Sequence, residues 1–284
     1  MKVSVIHTGF FKLDGGPMFG VVPKRMWEKM NPPDEQNMCT WAMRALLVEV
    51  ADRKILIDTG IGNKQDDKFR AHFMPFGQET LFGSLQKAGV TREEITDVFL
   101  THLHFDHCGG ALWKNEQTGT VELSFPNATY WSNRQHWDWA IHPNAREKAS
   151  FLAENFQPLL DLGKLQFVDV QQNINFCPGL DVRFLYGHTE AMMAPLIDLG
   201  AKRLIYCADL IPSQWHIGMP YVMAYDVRPL ATLEEKEQLL SEAAERGDIL
   251  LFEHDPVADG GLVHRDEKGR IVLERVGALS ELLA

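Results

Sequence analysis

Thr101-His102-Leu103-His104-Phe105-Asp106-His107-Cys108-Gly109-Gly110 is the stretch on which the fold is decided. An apolar run, Asp97-Val98-Phe99-Leu100, precedes it and reads as a buried strand leading into a loop. Residues two apart on extended backbone project to the same side, so His102 and His104 can reach one cation while Asp106 and His107, at the following turn, face a second. A lone histidine in a loop is most often hydrogen-bonded to its neighbours. Here three of the chain's eleven histidines cluster with a carboxylate, which favours a metal site over a plain polar loop.

Working outward, three later residues each stand just beyond an apolar, strand-like run. Val182-Arg183-Phe184-Leu185-Tyr186-Gly187 delivers His188, Leu204-Ile205-Tyr206-Cys207-Ala208 delivers Asp209, and Ile249-Leu250-Leu251-Phe252-Glu253 delivers His254. Sites in α/β proteins gather at the carboxyl ends of strands, so this pattern brings distant residues to a common edge. Upstream, a strand over residues 54–57 ends at Asp58-Thr59-Gly60-Ile61-Gly62-Asn63, a carboxylate and two glycines typical of a site edge.

The remaining chain supports an α/β protein. Residues 3–8 alternate as a strand, Gly15-Gly16-Pro17 reads as a turn, and residues 40–50 and 54–57 form a hairpin. Helical spacing covers 80–88, stopped by Gly89, and further helices are expected over 133–141 and 144–160. Thr91 and Glu94 fit a capping box. From residue 166 short strands dominate, interrupted by an amphipathic helix over 232–246, with Thr232 and Glu235 as a second capping box and Gly247 as its stop. A hairpin over 262–273 and a terminal helix close the chain. Without an internal repeat, low-complexity tract or long linker, residues 1–284 read as a single domain.

Composition narrows the function. The chain carries 39 acidic and 28 basic residues, a net charge of −11, which repels phosphate backbones and anionic lipid and excludes nucleic acid as a partner. No apolar run approaches the ~20 residues of a membrane span, so no membrane partner is expected. Cys39, Cys108, Cys177 and Cys207 lie far apart, and the N-terminus lacks the apolar core of a secretory signal. A reduced, cytoplasmic protein is the expectation.

The order His-x-His-x-Asp-His, Gly-His-Thr, strand-end Asp, strand-end His resembles the metallo-β-lactamase superfamily, and the Asp58 to Asn63 turn resembles its branch of quorum-quenching lactonases and methyl parathion hydrolase-like enzymes. The resemblance implies an αββα sandwich of two mixed sheets flanked by helices. It implies that His102, His104 and His188 hold one metal, that Asp106, His107 and His254 hold the second, and that Asp209 bridges both. Asp58 matches a position that orients a ligand or its loop. Two departures stand out. Glu190-Ala191-Met192-Met193 replaces the usual Pro-Gly-His after Gly187-His188-Thr189, and Pro212 occupies the position of the tyrosine of acyl-homoserine lactonases, which sets this chain apart from that substrate.

Five imidazoles and two carboxylates suit two Zn²⁺ ions, with Fe²⁺, Mn²⁺ or Co²⁺ as alternatives. By the resemblance, a metal-bridging hydroxide would attack a carboxylic ester or lactone, with Asp106 orienting it and passing a proton to the leaving group. A phosphodiester or phosphotriester hydrolase and a non-catalytic binding module are the alternatives, the latter opposed by the complete ligand set. Met18, Phe19, Trp215, Tyr221 and Tyr225 are the substrate-pocket candidates, since aromatic and Met side chains suit an apolar acyl group. His136, His142, His216 and His264 are expected at the surface or pocket rim without a role. A homodimer is a further expectation of the resemblance, with residues 18–23 or 137–139 as candidate contacts.

Overall fold

The computed structural model describes residues 1–171 and 174–284. The chain divides into two compact units, each assembled from two segments: Met1–Phe11 with Met43–Gln171, and Lys12–Ala42 with Gln172–Ala284. Each contains helices and the strands of a mixed sheet, so the fold class is α/β.

The first sheet has the order β1-β2-β3-β4-β7-β8, from β1 (Lys2–Asp14), β2 (Met38–Val50), β3 (Arg53–Ile57), β4 (Asp97–Phe99), β7 (Thr129–Asn133) and β8 (Leu165–Val168). A separate hairpin pairs β5 (Leu112–Lys114) with β6 (Val121–Leu123). β3 pairs antiparallel with β2 and parallel with β4. Strands central to a sheet covered on both faces read as unbroken apolar runs, and Ile55, Leu56, Ile57, Val98 and Phe99 are all fully buried. Leu56 and Val98 share a core cluster with Leu81 and Leu85 from the helix Leu81–Lys87, which starts where the Thr80 hydroxyl accepts the Gly83 N–H at 3.1 Å. The loops after β3 and β4 carry Asp58 and the histidine cluster from the same sheet edge.

The second sheet has the order β15-β14-β13-β12-β11-β10-β9, from β9 (Ile174–Cys177), β10 (Leu180–Leu185), β11 (Met192–Asp198), β12 (Arg203–Tyr206), β13 (Ile249–Leu251), β14 (Gly260–Arg265) and β15 (Ile271–Gly277). β12 and β13 are parallel, with Tyr206 opposite Leu251. β11 runs antiparallel to both β10 and β12, so β10 points the same way as β12. The carboxyl ends of β10, β12 and β13 therefore lie on one edge, and from them emerge His188, Asp209 and His254.

Three local expectations are corrected. Gly15-Gly16-Pro17 opens a short helix, Gly15–Phe19, because the Asp14 carboxylate caps it by accepting the Gly16 N–H at 2.7 Å. Of residues 144–160 only Ala153–Asp161 extends as helix, since the Asn144 side chain takes the N–H groups of Arg146 and Glu147 and closes a local turn instead. The long helix runs Pro229–Arg246, its start preset by the fixed φ of Pro229, so Thr232 lies inside it rather than capping it. Gly247 ends it in the left-handed conformation as expected. No helix among the described residues is long and apolar enough to cross a membrane.

Candidate metal centre

In the first unit the centre is built around Asp58, a fully buried carboxylate whose backbone takes a φ of 58°. Such a conformation is costly for a side chain other than glycine and persists where its surroundings enforce it. Asp58 accepts the Thr101 N–H at 2.8 Å and the Thr101 hydroxyl at 2.7 Å, and its Oδ2 lies 3.2 Å from His107 Nδ1. Thr59 donates its N–H and its hydroxyl to the His107 carbonyl, at 2.8 and 2.9 Å. The two loops then approach so closely that a Cβ on Gly110 would lie 2.3 Å from the Thr59 carbonyl oxygen, and one on Gly109 would lie 2.2 Å from that of Ile61.

These partners fix the tautomers of the histidines. Because the Thr101 hydroxyl gives its proton to Asp58, it accepts from His102 Nδ1 at 3.1 Å, which leaves His102 Nε2 with a lone pair. His107 Nδ1 donates to Asp58, so its Nε2 is likewise bare. His104 Nε2 faces Glu147 Oε1 at 3.5 Å, which turns Nδ1 inward. His102 Nε2 and His104 Nδ1 stand 3.1 Å apart. Two lone pairs at that separation repel unless a cation or a proton lies with them, and two imidazoles offering bare nitrogens so close together fit a divalent transition metal.

The second unit repeats this logic around Asp209. Asp209 Oδ2 lies 3.1 Å from His188 Nε2, and Oδ1 lies 3.0 Å from His254 Nε2. His188 Nδ1 donates to Asp226 Oδ1 at 2.8 Å and His254 Nδ1 to the Ala42 carbonyl at 2.8 Å, so both Nε2 atoms turn toward the Asp209 carboxylate. Burial lowers the pKa of His188, but Asp209 and Asp226 outweigh it and lift the value to about 10. A site that attracts a proton this strongly without a metal also suits a cation. The loop to His188 is pinned from the long helix, where Glu235 accepts the N–H groups of Tyr186 and Gly187 at 2.6 and 3.0 Å.

His102, His104, Asp106 and His107 lie in the first unit and His188, Asp209 and His254 in the second, and every one of them is buried. The bonds of Asp58 to Thr101 and His107 suit it to orienting rather than ligating.

Two histidines expected at the surface or rim are buried instead. His136 accepts the Leu103 N–H at 2.8 Å through Nε2 and so holds the backbone between His102 and His104. His216 bonds the Ser213 hydroxyl at 2.7 Å and the Met18 carbonyl at 2.9 Å, and burial lowers its pKa to about 3. Of the pocket candidates, Met18 and Phe19 are buried, and Phe19 stacks on Trp27 and His216 with centroids 5.0 and 5.3 Å away. Trp215 and Tyr221 are half-buried beside Phe19, and Tyr225 is exposed. Asp226 and Glu147 carry no local motif, and Glu235 reads from sequence only as half of a capping box. Only the fold shows that Asp226 meets a histidine 38 residues away.

A family profile described as the metallo-beta-lactamase superfamily matches residues 44–254. A probable metallo-hydrolase from Mycobacterium tuberculosis is 24% identical over 242 residues, 74% of each chain. A probable metal-dependent hydrolase from Staphylococcus aureus superposes with a TM-score of 0.86 at 26% identity, over 97% of this chain and 96% of that one. AidC, a dizinc quorum-quenching lactonase solved with the product N-hexanoyl-L-homoserine, superposes with a TM-score of 0.74 at 22% identity, over 95% and 92%.

Proposed function

The chain belongs to the metallo-beta-lactamase superfamily, and on that footing we propose that it is a dinuclear metal hydrolase of carboxylic esters or lactones. His102, His104 and His188 would hold one divalent cation, Asp106, His107 and His254 would hold the other, and Asp209 would contribute to both. The observation that carries this reading is Asp209 itself, whose two oxygens each face an imidazole Nε2 while an acceptor holds the Nδ1 of the same ring. Five imidazoles and two carboxylates suit Zn²⁺.

When bound, two such cations acidify a water molecule and polarise a scissile carbonyl. The chain's own residues supply order. Asp58 fixes the ring of His107, Asp226 fixes that of His188, and Asp106 would hold a proton and release it to the leaving group. The net charge of −11 disfavours anionic phosphodiesters and leaves neutral esters and lactones as the better substrates. The names of the mycobacterial and staphylococcal relatives support hydrolysis.

The test is a panel of lactones, aryl esters and aryl phosphates on metal-loaded protein, with metal content measured in parallel. Turnover of lactones or esters at about two metals per chain is expected, and Asp209→Ala should lose metal and turnover together. Turnover of the phosphates alone would overturn the substrate assignment.

A further inference from the structure

A cavity of about 180 Å³ opens in the first unit beside the Asp58 turn, and none of the candidate metal ligands lines it. Its wall is largely apolar, formed by Phe10, Met43, Ile61, Leu81 and Trp113. An apolar cavity of about 150 Å³ takes one benzene-sized molecule, so this one has room for a single ring with a small substituent.

Most polar groups on the wall are already engaged. The Thr8 hydroxyl donates to the Met43 carbonyl, and that of Thr59 to the His107 carbonyl. Asn63 spends both ends of its amide on the Lys114 backbone. Thr80 caps a helix, and Glu79 is matched by Lys87 at 2.7 Å from each carboxylate oxygen. Arg70 differs. Among the described residues its guanidinium meets only the Gly62 carbonyl, through Nη1 at 3.4 Å, and it has no carboxylate partner. A guanidinium presents five N–H donors in a planar fork that matches a carboxylate, so most of its capacity is open to a ligand.

From this wall and this cation we propose a second small-molecule site, separate from the metal centre, that takes a single-ring carboxylate with its ring on the apolar wall and its charge on Arg70. Phenylacetate is the probe and its neutral amide the control. Methyl NMR spectra of the full metal-loaded chain should show saturable shifts at Met43, Ile61 and Leu81, with a dissociation constant in the millimolar range usual for ligands this small. Arg70→Met should weaken binding by about tenfold or more, and phenylacetamide should bind the unaltered protein correspondingly weakly. The amide arm needs no variant to fold. Absence of saturable shifts at these methyls, or equal affinity for the acid and the amide, would overturn the proposal.

Discussion

Asp226 Oδ1 stands 2.8 Å from His188 Nδ1, and that contact decides which ring nitrogen is left to face Asp209. Removing it frees the imidazole to rotate and to protonate at the wrong atom. Outer partners of this kind are worth about 10–100-fold in metal affinity. Asp226→Ala should release metal to a competing chelator at correspondingly lower chelator concentration, and Asp226→Asn, whose amide oxygen can still accept, should lose less. Equal chelator resistance in all three proteins would show that the contact does not tune the site.

Gly110 faces the Thr59 carbonyl with no room for a methyl group, the Cβ position lying 2.3 Å from that oxygen. Gly110→Ala must part the two loops. Overpacking of this type costs about 1–3 kcal/mol, to be seen as a lower urea midpoint at unchanged slope.

His136 accepts the buried Leu103 N–H at 2.8 Å. His136→Ala leaves that donor without its acceptor, at a cost of about 1–3 kcal/mol. Urea unfolding with chelator present isolates this backbone effect from metal loss, and an unchanged midpoint there would count against it.

Asp97 accepts two hydrogen bonds from Arg53, at 2.6 and 2.9 Å, and one each from Thr96 and Trp131, at 2.6 and 2.8 Å. Burial raises the pKa of its carboxyl, but these bonds more than compensate and hold it below the usual carboxylate range. A lowered folded value means that the unfolded chain takes up the proton first. The contribution to stability is therefore complete above about pH 5 and is lost as the pH falls through the ordinary value near 3.9 toward the folded one. The stability gap between the unaltered protein and Asp97→Asn should shrink over that acid window and stay flat at neutral pH.

Much of the centre was legible because its donors announce themselves locally. His102, His104, Asp106 and His107 are adjacent in sequence, and His188, Asp209 and His254 each follow an apolar run that became β10, β12 or β13. What was hidden depends on contacts between distant segments. Glu235 read as half of a capping box, yet its carboxylate reaches the amides before His188 because Pro229 had already begun the helix. His136 and His216 are expected from the sequence at the surface or pocket rim without a role, and only the fold reveals their bonds to backbone groups. Phe19, picked for a pocket, also has a packing role that its sequence position does not betray.

The grip of Glu235 on Tyr186 and Gly187 ties the long helix to one arm of the centre, so thermal fraying of the helix's opening turns is transmitted to His188. Amide protons of residues 186 and 187 should exchange with solvent in step with those turns, and Glu235→Gln should hasten both. Durability on heating is then governed less by the strands than by how firmly one end of a helix stays wound.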